Sequence, residues 1–172
     1  MLMNIKIFIA VIGHANAGKS TVIQSLTGAK NPQFRGTVVD KTTGREIEVI
    51  GSSLQEMPIP ISEFGKILSK AKASSKCNGV VCAIQPNRPR VRPDLEQILK
   101  EATRQGFSIH AYILSPGYND SNAEAAIPRI QACSKKIDIQ TLDGRRFGYI
   151  NAEIINRKTG ICALGLSDQF SP

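Results

Sequence analysis

The sequence predicts an α/β fold: a mostly parallel β-sheet covered by helices on both faces, with an antiparallel hairpin at one edge. Strand-like apolar runs alternate with stretches whose apolar residues recur at helical spacing, which favours a parallel sheet between two helical layers. The continuous apolar run 79–84 is typical of a strand buried inside such a sheet. A turn-like tetrapeptide, 41–44, separates two short strand-like segments and predicts the hairpin.

The elements follow one another along the chain with short connections. The predicted strands are 4–12, 36–40, 45–50, 79–84, 107–114 and 137–142. The first predicted helix is 19–27, closed by Gly28, and the last is 146–158, which ends before Gly160. The length of 172 residues suits one domain, 1–172, with a substantial core.

Three further helices are predicted from capping residues and apolar spacing. Ser62 is expected to cap a helix whose apolar residues, from Phe64 onward, recur at helical spacing. Pro93 fits the first position of the next helix, which Gly106 closes. A fourth helix is expected to be interrupted near Pro128, because proline cannot donate a main-chain hydrogen bond.

The most informative motif is a glycine-rich loop of the form G-x-x-x-x-G-K-S between the first strand and the first helix. Its residues are Gly13, His14, Ala15, Asn16, Ala17, Gly18, Lys19 and Ser20, followed by Thr21. Main-chain N–H groups of such a loop point inward at a phosphate, and the helix that follows presents its positive end to the same phosphate. We expect these nine residues to bind a nucleoside triphosphate.

Two side chains of this loop have predicted chemical roles. Lys19 is expected to reach the β- and γ-phosphates as a partly exposed ligand group, and Ser20 to offer its hydroxyl to Mg²⁺. The motif predicts a three-layer P-loop NTPase fold that binds GTP or ATP with Mg²⁺.

The composition excludes some functions and leaves others open. The net charge of +8 is compatible with an anionic partner, and nucleic acid is possible, although no RNA-binding motif supports it. The four cysteines form no C-x-x-C pair and only two histidines are present, which argues against a metal or redox centre. Reduced thiols and the lack of a membrane-length apolar run predict a cytoplasmic protein.

Around the loop, the segments 11–21 and 26–28 resemble small GTPases of the translation-factor-related class. The similarity is greatest to Era-like proteins and to the G domain of ferrous-iron transport GTPases. The resemblance implies that Thr37 is the switch I threonine, which binds Mg²⁺ and senses the γ-phosphate. It also implies that Gln55 orients the attacking water, so that Lys19, Thr37 and Gln55 form the catalytic set and Ser20 and Thr37 the metal ligands.

The sequence departs from this family pattern at two places. Gly51 and Leu54 stand where switch II has an aspartate and a glycine, so we expect weak intrinsic hydrolysis. The loop 115–120 replaces the guanine-reading Asn-Lys-x-Asp motif. We expect it to border the base, with Asp120 as its acid and Tyr118 or Pro116 against the ring, and to discriminate modestly between guanine and adenine.

Three functions compete at this point. The first is a GTPase-like switch or slow NTPase that a protein partner or anionic acceptor stimulates. The second is an ATP-dependent phosphotransferase, favoured by Arg88, Arg90 and Arg92 after a central strand, where open α/β sheets place ligands. The third is a non-catalytic module that keeps the phosphate-binding loop without turnover.

Overall fold

The computed structural model describes residues 5–86, 90–162 and 170–171 and shows a mixed seven-stranded sheet. Its strands are β1 (Ile7–Ile12), β2 (Arg35–Asp40), β3 (Glu46–Ile50), β4 (Cys77–Ile84), β5 (Ser108–Leu114), β6 (Asp138–Leu142) and β7 (Phe170–Ser171). They lie in the order β6-β5-β1-β4-β3-β2-β7.

The helices form two layers, one on each face of the sheet. They are α1 (Lys19–Thr27), α2 (Ile61–Ala73), α3 (Leu95–Arg104), α4 (Ala126–Cys133) and α5 (Gly148–Thr159). One core cluster joins α2, α3 and α4 to the sheet through residues such as Phe64, Ile98 and Ile130. The other joins α1 and α5 to the opposite face, with Leu26 and Ile155 at its centre. The predicted three-layer α/β fold is confirmed.

Strand direction explains where ligand-binding loops gather. Strands β1, β3, β4, β5 and β6 are parallel, so their carboxyl ends meet at one edge of the sheet. Strand β2 runs antiparallel to β3, which confirms the predicted hairpin. The short strand β7 pairs with the end of β2, so the hairpin is not the outermost element of the sheet.

The order of the strands places β4, and not β3, directly beside β1 on the hairpin side. Ile84 of β4 pairs with Ile12 of β1, and Ile50 of β3 pairs with Cys82 of β4. Adjacent strands are about 4.8 Å apart, so the end of β3 lies about 10 Å from β1. Residues that follow β4 are therefore the closer neighbours of the glycine-rich loop.

Three predicted helix features are wrong. Helix α2 begins at Ile61 with Pro60 at the N-cap, so Ser62 lies inside its first turn. Helix α3 has Asp94 as its N-cap, within a capping box completed by Gln97, so Pro93 precedes the cap. Pro128 lies in the first turn of α4, where main-chain N–H groups have no helical partner, and does not interrupt the helix. Within the described residues, no helix has the length and hydrophobicity needed to cross a bilayer.

Candidate nucleotide site

The glycine-rich loop joins β1 to α1 as predicted. Its first residue is held to the sheet, because the Gly13 N–H donates to the Ile84 carbonyl at 3.1 Å. The loop turns back on itself through a bond from the Ala17 N–H to the His14 carbonyl, also 3.1 Å long. Gly18 then adopts a left-handed conformation, with φ of 101°, at the N-cap of α1. A residue with a Cβ atom would be strained there, which explains glycine at this position.

Lys19 lies inside this loop. Its ammonium donates to the carbonyls of Gly13 and His14, each at 2.8 Å. The side chain is 7% exposed, so the expectation of a partly exposed lysine is wrong. Burial lowers the pKa of the ammonium to about 8, and the negative charge of Glu56 opposes that shift. The buried cation is thus held where the loop closes.

A cleft of about 570 Å³ opens beside the loop. One wall is the loop and the first turn of α1, including Ser20 and Thr21. The opposite wall is the segment 144–148, which connects β6 to α5, and Tyr118 from the loop after β5. Clefts of 300 to 1,000 Å³ are typical of small-molecule sites, and this one adjoins the phosphate-binding loop.

The loop after β5 is tied to the glycine-rich loop by two hydrogen bonds. The Tyr118 N–H donates to the Ala17 carbonyl at 2.9 Å, and the Asn119 side chain donates to the Ala15 carbonyl at 3.0 Å. The segment 115–120 therefore lies against the phosphate-binding loop.

Asp120 is exposed in this loop and has a left-handed backbone, with φ of 62°. Its carboxylate lies 3.5 Å from the Arg145 guanidinium, which comes from the opposite wall of the cleft. The pairing is solvent-exposed and therefore weak. Asp120 can therefore break this ion pair and bind a ligand group, because the Arg145 charge left behind is exposed to solvent.

On the other side of the loop, the expected aspartate of switch II has no room. A Cβ atom at Gly51 would lie 2.8 Å from the Phe34 carbonyl and 3.2 Å from that of Pro32. The Gly51 N–H also donates to the Phe34 carbonyl at 2.8 Å. The chain segment before β2 thus packs directly on the end of β3, and this contact requires glycine.

Thr37 is not brought to the glycine-rich loop. It is exposed within β2, and its hydroxyl donates to Glu48 of β3 at 2.9 Å. Thr37 is paired with Glu48 of β3, and Glu48 is paired with Val80 of β4. Val80 is in turn paired with Phe8 of β1, four residues before Ile12, where β1 ends. Three strand spacings separate it from β1, about 14 Å across the sheet. In this conformation, Thr37 does not share a metal ion with Ser20.

Gln55 is buried, with 2% of its side chain exposed. Its amide accepts from the Gln85 N–H at 3.0 Å and donates to the Pro93 carbonyl at 2.8 Å. These contacts join the loops that follow β3 and β4. The water-orienting role of Gln55 stays a prediction, and the structure shows that its amide also connects two loops.

The arginines that favoured a phosphotransferase are not assembled into a shared anion site by the described residues. Arg88 lies outside the described residues. Arg90 is exposed, and Arg92 is paired with Asp94, the N-cap of α3. No described contact joins Arg90 or Arg92 to the glycine-rich loop.

A strand, a phosphate-binding loop with its lysine, and a helix beside a cleft define a P-loop NTPase. A comparison with protein families adds that the model for 50S ribosome-binding GTPases matches residues 8–111, more than half of the chain. The chain belongs to this family and is a GTP-binding P-loop GTPase domain of the Era-like class. A search of curated proteins found no match.

The sequence contained two site features whose importance only the structure shows. In the loop 115–120 the sequence singles out Asp120, Tyr118 and Pro116, but the side chain that holds the phosphate-binding loop is that of Asn119. After the strand 79–84 the sequence singles out the arginines, but the strand order places Gln85 beside β1. A polar residue at the carboxyl end of a buried strand was the signal for Gln85.

Proposed function

We propose that this domain is a GTP-responsive switch with slow intrinsic turnover. The triphosphate lies on residues 13–21, with Lys19 on the β- and γ-phosphates, and the base enters the cleft between Tyr118 and residues 144–148. The observation that carries this proposal is the pair of hydrogen bonds from Tyr118 and Asn119 to the loop. They fix the base-side loop against the phosphate-side loop, as one continuous ligand requires.

The oxygen donors near Lys19 fit Mg²⁺ bound together with phosphate. Mg²⁺ keeps several waters and takes one or two protein oxygens besides those of the substrate. Ser20 supplies a hydroxyl at the first turn of α1, and the charge of Glu56 acts on the Lys19 ammonium. In this proposal Ser20 would hold the ion through its hydroxyl, and Glu56 would supply a nearby negative charge. When bound, the ion neutralises charge on the phosphates.

We expect slow turnover because two groups that support hydrolysis are missing from the side of the site nearest the β2–β3 hairpin. Gly51 leaves no carboxylate at the end of β3, and Thr37 is held in the hairpin by Glu48. Phosphoryl transfer depends on positioned ions and charges, so a site without them is slow until a partner supplies them. A protein partner or an anionic acceptor is expected to stimulate it. The family match favours this function over the phosphotransferase.

Competition binding of GTP against ATP tests the proposal. Asp120 can accept from the N1 and N2 donors of guanine, which adenine lacks, but it must leave Arg145 to do so. We expect a preference for GTP of about tenfold, because a single solvent-exposed carboxylate reads the base edge. Asp120→Ala should remove it, whereas Glu124→Ala, an exposed control in the same loop, should not.

Two results would change this proposal. A GTP preference of thousands that Asp120→Ala abolishes would show a fully specific guanine site and an undervalued loop. Equal binding of GTP and ATP by the parent, unchanged in Asp120→Ala, would remove Asp120 from the base site.

A further inference from the structure

Gln85 is the first residue after β4, the strand that neighbours β1. The Ile84 carbonyl just before it accepts the hydrogen bond from the first N–H of the glycine-rich loop. The main chain of Gln85 therefore lies beside Gly13, the residue at which the phosphate-binding loop leaves the sheet. Side chains at the carboxyl end of a parallel sheet are the ones that meet its ligands.

The direction of the Gln85 side chain follows from alternation along β4. Cys82 and Ile84 belong to the core cluster of α2, α3 and α4, whereas Val81 and Ala83 belong to that of α1 and α5. The next alternate position is Gln85, so its side chain continues on the face of α1. That is the face on which the phosphate-binding loop lies.

The Gln85 amide is buried and incompletely bonded. The side chain is 7% exposed, and its Oε1 atom has no hydrogen-bond partner among the residues that the structure describes. Buried polar atoms are almost always paired, because an unpaired one forfeits its bonds to water. Because this atom lies next to a ligand-binding loop, we expect the ligand or its bound water to supply the missing hydrogen bond.

The main chain of Gln85 is held in place by Gln55. The Gln85 N–H donates to the Gln55 amide oxygen at 3.0 Å, while the Gln55 amide donates to the Pro93 carbonyl at 2.8 Å. Gln55 is itself buried, so this arrangement is shielded from water. Gln55 thus fixes the point from which the Gln85 side chain extends.

We propose that Gln85 recognises the terminal phosphate and makes the site prefer nucleoside triphosphate to diphosphate, with Gln55 as its positioning residue. The Nε2 group of Gln85 can donate to an oxygen of a γ-phosphate. The unpaired Oε1 is an acceptor, so its partner is a donor, such as a water bound to that phosphate. The diphosphate has no group at that position and leaves the amide unpaired. This inference rests on the proposed binding of GTP at the P-loop.

The test is calorimetric binding of a non-hydrolysable GTP analogue and of GDP, each with Mg²⁺. Gln85→Met keeps the side-chain length and removes the amide. We expect the ratio of triphosphate to diphosphate affinity to fall tenfold or more, because a hydrogen bond to a charged group is lost. GDP affinity should stay within about twofold of the parent, since GDP does not reach this residue.

Thermal unfolding without nucleotide separates this role from a structural one. Gln85→Met removes an unsatisfied buried atom and should leave the melting temperature unchanged or raised. Gln105→Met is the matched control. Gln105 is also buried, but it is the C-cap of α3, and its amide is bonded to Gly65 and Ser69 of α2. That variant should lose stability and keep the affinity ratio.

The outcomes are distinct. A ratio unchanged in Gln85→Met, with GDP and the analogue both bound, overturns the inference and leaves the proposed function standing. Loss of both ligands together in a folded Gln85→Met overturns a role specific to the γ-phosphate. A parent that binds neither ligand overturns the proposed function and this inference with it. Gln85→Asn, which keeps the amide but shortens its reach, should also lower the ratio, and an unchanged ratio there counts against the proposal.

Discussion

The two sides of the P-loop are built differently. On the side where we expect the base, the loop after β5 bonds to the main chain of the glycine-rich loop through Tyr118 and Asn119, and a cleft lies beside them. On the side where we expect the γ-phosphate, Gly51 lacks a side chain and Thr37 lies in the hairpin. We therefore expect nucleotide binding and nucleotide cleavage to be separable, because the groups proposed to bind are in contact with one another, whereas Thr37 is not in contact with them.

The largest of these effects concerns the protonation of Lys19, which lies between the two sides. Burial holds the pKa of Lys19 at about 8 in the free protein, below its value in an unfolded chain. A phosphate needs the protonated form, so binding takes up a proton above pH 8. Affinity for GDP should fall by up to about tenfold per pH unit between pH 8 and 9.

The stability of the free protein should change in the opposite direction. Between the folded pKa of about 8 and the ordinary value of 10.5, the unfolded state binds more protons at Lys19, so this residue adds stability as pH rises. Lys19→Met provides the reference, because subtracting its pH profile isolates the lysine from the cysteines. Parallel profiles for parent and variant between pH 7.5 and 9 would contradict the burial argument.

A second prediction concerns the missing acid. Gly51→Ala should lower the free energy of unfolding by about 1–3 kcal/mol, because its Cβ atom meets main-chain oxygens that cannot move freely. Gly51→Asp should be at least as unstable and should not increase hydrolysis. Gly65→Ala is the control, since the atom nearest to its Cβ would be the end of the Glu101 side chain and not a main-chain atom. A stable Gly51→Asp with faster turnover would show that the end of β3 can carry the catalytic acid.

The smallest expected effect is that of Thr37→Ala. The bond from Thr37 to Glu48 is exposed, so its loss should change stability by about 0.5 kcal/mol or less. We expect the Mg²⁺ dependence of GTP binding to shift by less than about twofold, because Thr37 is not beside Ser20. A tenfold weakening of Mg²⁺-dependent binding would show that the hairpin moves and that the family role of Thr37 holds.

The sequence predicted the local parts of this fold well. The glycine-rich loop, the bounds of α1 and the turn at 41–44 follow from short motifs whose chemistry is local. The capping box of Asp94 and Gln97 is also a local signal, although the frequency of proline at helix starts favours Pro93.

The order of the strands could not be predicted in the same way. The placement of β4 between β1 and β3 depends on long-range packing, which no local spacing reveals. That order decides which polar residue lies beside the loop, so the sequence alone does not single out Gln85. The close packing of Phe34 on Gly51 is likewise a contact between distant segments.

We propose that Lys19 binds the nucleotide and is not needed for the core, and the variant Lys19→Ala separates these two roles. Equilibrium binding of GTP and GDP should weaken at least about 100-fold, because a charged contact to phosphate is lost. The unfolding temperature without nucleotide should change little, since removal of a desolvated ammonium offsets the loss of its hydrogen bonds to the Gly13 and His14 carbonyls. Lys30→Ala, an exposed control, should leave both properties unchanged. A folded Lys19→Ala that binds GTP and GDP like the parent would contradict the account.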